Sequence, residues 1–288
     1  IMKKIHVGLL LSYDYELLKN SLPLIYSASD RIFLAKDKDL RTWKGEKFTV
    51  DPSFYVWLKE FDIDNKIEIY EDDFYIPELS TIENDTRERT MLSHKMGIGN
   101  WLIQVDSDEY FIDFDKFVTN LRKYDSYLDE PEKKKIQFFA FWIIIYKHTK
   151  NGILYVDKPM KAAFATNYPN YKVARRTKER VIYLDSIVLH ESVARTESEL
   201  RFKLQNWSHN IDVNKDFIDK WIAVDETNYT KMTDFYYIKP SRWKTLNYFP
   251  TRKLDEISKI VASSNNLKIS KTYLFFKNFG QWFRFLFK

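Results

Sequence analysis

Apolar runs of strand length alternate with segments at helical spacing through the first half of this 288-residue chain. The strand-like runs lie at 4–11, 31–35, 66–71 and 101–105. Leucines at helical spacing follow the first run, and 83–96 has the pattern of a helix. This alternation is typical of βαβ units, in which parallel strands carry helices on both faces. The sequence therefore predicts an α/β fold with a mostly parallel, Rossmann-like sheet.

The second half is richer in β-strand patterns. A long apolar run at 134–148 is followed by shorter ones at 152–157, 161–167 and 180–192. A helix is predicted over 196–210, where Thr196 can cap and Glu199 follows three residues later. Because no Gly-, Pro- or Ser-rich linker interrupts the chain, both halves are expected to share one core.

Composition narrows the class of partner. The 46 basic and 41 acidic side chains leave a net charge of +5, spread too evenly to indicate nucleic acid. An anionic small substrate or a membrane surface fits better. The absence of cysteine excludes disulfides and suits a reducing cytoplasm. Neither a signal peptide nor a membrane-spanning segment is visible, so the expected location is cytoplasmic, with a peripheral position at the inner membrane face as an option.

The strand at 101–105 ends in three carboxylates within four residues, Asp106, Asp108 and Glu109. Residues two apart on an extended chain point to the same side, so Asp106 and Asp108 are expected to face one site. Two carboxylates this close repel each other unless a cation lies beside them, and hard oxygen ligands suit Mg²⁺ or Mn²⁺. The alternative is that both are solvated turn residues, since aspartate is common where strands end.

A diphosphate would also need basic side chains, because the six glycines form neither common phosphate-binding loop motif. Arg87 and Arg89 lie near the start of the predicted helix at 83–96. Arginine forks match phosphate oxygens, and a helix N-terminus favours anions. The alternative is a solvated helix turn in which these arginines pair with neighbouring acids.

These features in this order resemble the GT-A fold glycosyltransferases, specifically family 2. The resemblance rests on the first strand and helix, the second strand ending "LAKDKDLRTWKG", the arginine-bearing helix and the strand closing on "DSDEYF". It covers about residues 3–115 and continues more loosely to about 210. It implies a catalytic domain over 1–225 and a C-terminal helical extension over 226–288.

The resemblance also implies a nucleotide-diphosphate sugar as donor and a divalent metal held by Asp106 and Asp108. Asp37, or alternatively Asp39, would read the nucleoside. Ser12 and Tyr13 would lie beside the base, in a turn that lacks the proline and asparagine usual for the family. Arg87 and Arg89 would contact the donor, although Thr90 stands where the family has asparagine.

A second cluster follows the run at 180–189. The resemblance suggests His190 as third metal ligand, with Glu191 or Asp185 as catalytic base. A histidine at a strand end is equally compatible with a structural role. His209 is a weaker rival ligand. No Glu-Asp catalytic pair and no Q-x-x-R-W signature is found, which argues against a processive synthase.

The implied reaction is inverting transfer of a sugar to a hydroxyl of a glycan or lipid-linked acceptor, as in the synthesis of bacterial surface polysaccharides. Two other functions stay open: a metal-dependent nucleotidyltransferase and a non-catalytic sugar-nucleotide-binding protein. Trp142 is interpreted as a core residue rather than a sugar platform. A solvated surface loop is favoured over an anionic acceptor site for the four basic residues Arg175, Arg176, Lys178 and Arg180.

The last segment, 270–288, is predicted to form an amphipathic helix for a membrane surface. One face carries Lys277, Gln281, Arg284 and Lys288, and aromatic residues form the other. The alternative is a helix that packs its aromatic face on the domain or on a second copy.

Overall fold

The computed structural model describes residues 3–208 and 213–283. The strands are β1 (Ile5–Leu10), β2 (Arg31–Asp37), β3 (Ile67–Asp72), β4 (Trp101–Gln104), β5 (Glu109–Phe111), β6 (Ile136–His148), β7 (Ile153–Val156), β8 (Met160–Thr166), β9 (Arg180–His190) and β10 (Leu246–Phe249). The helices are α1 (Leu18–Ile25), α2 (Pro52–Phe61), α3 (Thr81–Met96), α4 (Phe114–Arg122), α5 (Glu197–Asn206), α6 (Phe217–Ala223), α7 (Leu254–Ser263) and α8 (Lys271–Trp282).

Four parallel strands form one half of the sheet, in the order β3-β2-β1-β4. In this register Leu9 lies beside Leu34 and Val7 beside Ile103. All six residues of β1 are buried, as expected of a strand covered on both faces. The predicted βαβ arrangement is confirmed, and so is the general α/β class.

The other half of the sheet is mixed rather than parallel. β8 runs antiparallel to β4 and to β6, whereas β9 runs parallel to β6 and antiparallel to β5. The pairing of β5 with β9 places Glu109 opposite His190. The two sequence clusters, about 80 positions apart, therefore meet at one edge of the sheet.

Helices cover both faces of the parallel half. One face packs on apolar residues of α1, α2 and α4, such as Leu22, Phe54 and Phe117. The opposite face packs on Leu92 and Met96 of α3. The start of α3 is fixed by a capping box between Ser80 and Glu83, which is the local reason that its arginines fall beside the end of β4.

The segment 226–288 contributes more than helices. Strand β10 pairs with β7 and extends the sheet, and Phe235 and Trp243 are buried in a core shared with α5 and α6. No natural break between two domains is visible at 225 in the described ranges, since α6 and the following residues pack in the same cluster. No helix in those ranges has the length and apolar character needed to cross a membrane.

Gly8 on β1 is required by the close approach of α3. A Cβ at this position would lie 2.8 Å from both Leu92 Cδ2 and Met96 Sδ. We expect Gly8→Ala to reduce the free energy of unfolding by about 1–3 kcal/mol, because the packed helix must move. A Cβ added to Gly280 on α8 would meet no atom within 4 Å, so Gly280→Ala is the matched control. Chemical denaturation measures both, and equal stability of the two variants would contradict the packing argument.

Candidate functional site

A cavity of about 410 Å³ opens beyond the carboxyl ends of β1, β2 and β4. Its walls come from the loops after these strands, from α3 and α5, and from the ends of β6 and β9. This is where ligands bind in open parallel sheets. Asp106 and Asp108 both line it, as the sequence predicts.

Asp108 is a buried carboxylate surrounded by cations. Its Oδ2 accepts hydrogen bonds from Arg195 and from Lys203 Nζ, both at 2.7 Å. Its Oδ1 lies 3.5 Å from His190 Nε2. Burial would raise the pKa of Asp108, but Lys203, His190 and Arg195 outweigh burial and hold it well below its usual range.

Asp106 is the more accessible partner, with 29% of its side chain exposed. Arg89 lies 2.9 Å from its Oδ1, and the guanidinium of Arg175 lies at 3.9 Å. Burial opposes ionisation, yet these two arginines lower the pKa of Asp106. The mutual repulsion expected of the two aspartates is therefore offset by protein cations, one set for each carboxylate.

Glu109 and Arg175 form a buried pair beneath the two aspartates. The guanidinium donates to both Glu109 oxygens and to the carbonyl of Gln104, and it lies 5.7 Å from the centre of the Trp142 ring. Glu109 Oε2 also accepts from the backbone N–H of Asp106. The prediction that Arg175 lies in a solvated loop is therefore wrong. Through its pairing with Glu109, Arg175 fixes the turn that carries Asp106.

The two arginines of α3 have different positions. Arg89 lines the cavity between Asp85 and Asp106. Arg87 lies outside the cavity lining and donates to the carbonyls of Asp73 and Phe74, both at 2.7 Å. A step of two residues along the helix turns its side chain away from the Arg89 face and toward the connection between β3 and α3. The structure therefore does not bring Arg87 to the candidate donor site.

Asp37 lines the cavity at the end of β2, but its oxygens are already engaged. They accept from the Arg41 guanidinium and from the backbone N–H groups of Asp39, Arg41, Phe74 and Tyr75. Burial alone would raise the pKa of Asp37, and the Arg41 hydrogen bonds reverse this and lower it. With so many donors on one carboxylate, Asp37 organises two loops and has little capacity left for a nucleoside.

Ser12 and Tyr13 line the same cavity, in the loop after β1. The ring of Tyr13 packs edge-on against Phe202 of α5, with centroids 5.1 Å apart. Asp14 follows and accepts from Arg195 at 3.2 Å, with 19% of its side chain exposed. Burial raises the pKa of Asp14, and Asp108 adds to this, although Arg195 opposes both.

The predicted catalytic acids do not lie at the cavity. His190 does line it, and its ring lies 4.5 Å from that of Trp142. Glu191 faces the other side of the strand, where it accepts from Tyr110 at 2.6 Å and pairs with His148. Asp185 is paired with Lys116 at 2.8 Å and is half-exposed, away from the cavity. His209 lies outside the described residues.

Three charged residues around Asp108 were not identified from the sequence: Asp14 and Lys203, which line the cavity, and Arg195, which contacts Asp14 and Asp108 but is not part of the lining. Arg195 and Lys203 reach Asp108 across 87 and 95 positions, so no local pattern links them. The only signal in the sequence is their position after the strand that ends at His190: Arg195 lies just before the capped helix α5, and Lys203 lies within it. Trp142 also lines the cavity, and its buried Nε1 has no hydrogen-bond partner among the described residues.

The implied metal fits part of this arrangement. Within 3–208 and 213–283, no three His, Cys, Asp or Glu side chains converge to hold an ion. Asp108 Oδ1 and His190 Nε2 offer one carboxylate and one imidazole donor, 3.5 Å apart. Such a pair fits a Mg²⁺ or Mn²⁺ ion that takes its remaining ligands from a bound diphosphate and water. Asp106, the other predicted ligand, is paired with Arg89.

Comparison with known proteins does not identify the chain. No family model matches it, and no curated protein matches it. A solved structure described as mannose-6-phosphate isomerase from Helicobacter pylori aligns with 14% identity and a TM-score of 0.30. The alignment covers 54% of this chain and 56% of that one, so the chain spans little more than half of that structure. A similarity this weak carries no conclusion about fold or function.

Asp108 is expected to stabilise the fold through its two cations. Asp108→Asn removes the charge that compensates Arg195 and Lys203, so we expect a loss of about 3–5 kcal/mol in the free energy of unfolding. Asp106→Asn is the matched control. It should lower the free energy of unfolding by less, because Arg89 keeps its ion pair with Asp85 at 2.5 Å. Denaturant titration at neutral pH measures both, and an equal loss in the two variants would show that the Asp108 network has no special weight.

Proposed function

We propose that the protein is a glycosyltransferase of the GT-A type that transfers a sugar from a nucleotide-diphosphate sugar to a hydroxyl acceptor. The observation that carries this proposal is the placement of Asp106 and Asp108 at the end of β4, in a cavity that is also lined by the cations Arg89 and Lys203. Carboxylates and cations at one strand end are the means of binding a diphosphate when no glycine-rich loop is available.

The topology supports the same proposal. The parallel strands β3-β2-β1-β4, with the two aspartates directly after β4, are compatible with the Rossmann-like half that the resemblance implies. The short strand β5 directly after Asp108 pairs with β9 and brings His190 to the same site. Motifs separated by about 80 residues in the sequence are thus adjacent in space, in the order that the resemblance implies.

The chain's own residues suggest how the reaction would proceed. Arg89 and Lys203, which line the cavity, would neutralise the departing diphosphate as the bond to the anomeric carbon breaks. A divalent cation, when bound by Asp108 and His190, would add to this charge neutralisation. Because the two side chains already carry positive charge at this point, the metal would supply a share of the neutralisation rather than all of it.

The acceptor hydroxyl must lose a proton during an inverting attack. Glu191 and Asp185 do not reach the cavity, which leaves Asp14 and Asp106 as the lining carboxylates with partly exposed side chains. Asp14 is our candidate base, since its contact with Arg195, at 3.2 Å, is longer than the 2.9 Å contact between Asp106 and Arg89. Its raised pKa suits a proton acceptor better than the lowered pKa of Asp106.

The test is a screen of UDP-, GDP-, CDP- and dTDP-sugars for binding and slow hydrolysis, with Mn²⁺, Mg²⁺ or EDTA. We expect one donor to bind, more tightly with metal, and His190→Ala, which removes the imidazole ligand, to abolish the gain in affinity that the metal gives. Failure of every donor to bind the folded wild-type protein would overturn the proposal. Release of pyrophosphate from a nucleoside triphosphate would instead favour a nucleotidyltransferase, and tight binding without turnover would favour a binding protein.

The role of Asp14 has its own test. Asp14→Asn should lower donor hydrolysis by about 10²–10⁴-fold while donor binding persists. In the wild type, activity should fall as pH decreases through the raised pKa of Asp14, because the protonated carboxyl cannot accept a proton. Asp185→Asn is the matched control and should retain the wild-type rate and pH profile. An Asp14→Asn variant with an unchanged rate would exclude Asp14 as the base.

A further inference from the structure

Three basic side chains line the cavity on the side away from Asp37: Lys161, Arg176 and Arg242. They come from β8, from the loop before β9 and from the turn before β10. None of the three forms an ion pair within the described part of the chain. The contacts of Lys161 are with the rings of Tyr183 and Tyr273, and Arg242 lies 5.1 Å from the centre of the Tyr236 ring.

The other cations of the cavity behave differently. Arg41, Arg89, Arg175 and Lys203 each contact at least one carboxylate. The cavity therefore has a compensated half around the aspartates and an uncompensated half around Lys161, Arg176 and Arg242. Partial desolvation lowers the pKa of Arg176, and the like charges of Arg175 and Arg242 add to this.

Apolar surface adjoins these cations. Met160, Tyr236 and Trp243 line the same part of the cavity, together with Trp142 next to His190. Aromatic rings beside unpaired cations provide a platform for a sugar or another apolar body and charge for an attached anion. Arg176 and Arg242 are exposed and Lys161 is half-buried, so an anion can reach all three side chains without displacing a carboxylate.

We propose that Lys161, Arg176 and Arg242 form an acceptor subsite that binds a phosphate or diphosphate group. This inference rests on the proposed function in one respect, since the bound molecule is assigned as the acceptor. The arginine forks would each take two phosphate oxygens, and Lys161 would act as a point charge. The acceptor would then enter from the side opposite the nucleotide, with its hydroxyl directed toward Asp14 and Asp108.

The experiment compares the wild type with the combined variant Lys161→Gln, Arg176→Gln and Arg242→Gln, using phenyl phosphate as probe in calorimetric titration. The matched control replaces Lys172, Lys178 and Lys244 by Gln, because these lysines are exposed or half-buried and lie outside the cavity lining. We expect the triple subsite variant to bind phenyl phosphate at least tenfold more weakly, and the control to bind as the wild type does. Equal binding by all three proteins would overturn the subsite.

Donor binding separates this inference from the proposed function. The subsite variant should bind the sugar nucleotide normally, since its substitutions are outside the aspartate half. If phenyl phosphate binding depends on the three cations and no donor binds, the subsite stands and the glycosyltransferase proposal fails. Short-chain phosphatidic acid and a water-soluble sugar phosphate, tested as competitors, distinguish a lipid-borne phosphate from a free one.

A second inference comes from α8. Its exposed aromatic face consists of Phe275, Phe276, Phe279, Trp282 and Phe283, with exposed fractions of 41–65%. Its polar residues point inward: the Asn278 side chain bonds the backbone N–H and C=O of Tyr183, and Gln281 accepts from the N–H of Val181. The helix thus covers the open edge of β9 with amide side chains, and its aromatic face is left outside.

The surroundings of this face are basic. No acidic residue follows Glu256 in the sequence, whereas Lys259, Lys268, Lys271 and Lys277 do. Arg180 lies 3.9 Å from the centre of the Trp282 ring. Arg284, Leu286 and Lys288, which belong to the predicted amphipathic pattern, lie outside the described residues. Exposed aromatics beside cations are the combination that binds anionic lipid interfaces.

We infer that the α8 aromatic face binds a lipid surface that carries anionic headgroups. The alternative of packing on the domain is wrong for the described part of this face, because the five rings are exposed. Lys161 lies 5.9 Å from the centre of the Tyr273 ring, so the helix adjoins the phosphate subsite. A membrane-bound acceptor would therefore reach the cavity from the side on which the lipid lies.

Co-sedimentation of the full chain with phosphatidylglycerol-containing vesicles tests this. Replacement of Phe275, Phe276 and Phe279 by Ser should reduce the bound fraction at least tenfold, and vesicles of phosphatidylcholine alone should bind the wild type weakly. The matched control replaces Val56, Ile63 and Ile222 by Ser, since these are apolar residues exposed elsewhere. Unchanged binding of the α8 variant would overturn the inference, as would a dimer in lipid-free solution that the α8 substitutions abolish.

Discussion

The candidate site depends on the compensation of charge at the end of β4. Asp106, Asp108 and Glu109 are held together only because Arg89, Arg175, Arg195 and Lys203 approach from separate elements. Arg89, Arg175 and Lys203 line the cavity and Arg195 holds Asp108 without being part of the lining, so the carboxylates determine where the cavity walls lie. Removing a charge from such a network leaves its partner buried and uncompensated. For this reason the charged residues that form the candidate site are also the residues that hold it together.

The fold could be predicted where it depends on local patterns. The runs that form β1 to β4 and the capped helices α3 and α5 are all visible in the sequence, because periodicity and capping act over a few residues. The pairing in the mixed half of the sheet could not be predicted in this way. Strand β9 pairs with both β5 and β6, and no spacing in the sequence indicates these partners. The carboxylates are found in the sequence, but the cations that neutralise them come from distant positions.

The site residues that were placed incorrectly share a cause. Glu191 and Arg87 each stand near a residue that does reach the cavity, His190 and Arg89. On a strand a step of one residue reverses the face, and on a helix a step of two turns a side chain well away. Asp37 faces the cavity, but its carboxylate oxygens already accept hydrogen bonds from Arg41 and from the backbone N–H of Phe74. The type and approximate position of a residue do not determine on which side of a strand or helix its side chain lies.

The unpaired cations of the cavity and the exposed aromatic face of α8 share one physical property. Neither has a partner in the described part of the chain: Arg176 and Arg242 form no ion pair, and the Phe275 ring is exposed. Burying aromatic surface stabilises a protein, so an exposed row of five rings is retained at a cost unless a partner covers it. Tyr273 lies between the two features and contacts Lys161. An acceptor that carries a phosphate and lies at a lipid surface would give a partner to both features at once, which is why the two inferences are proposed together.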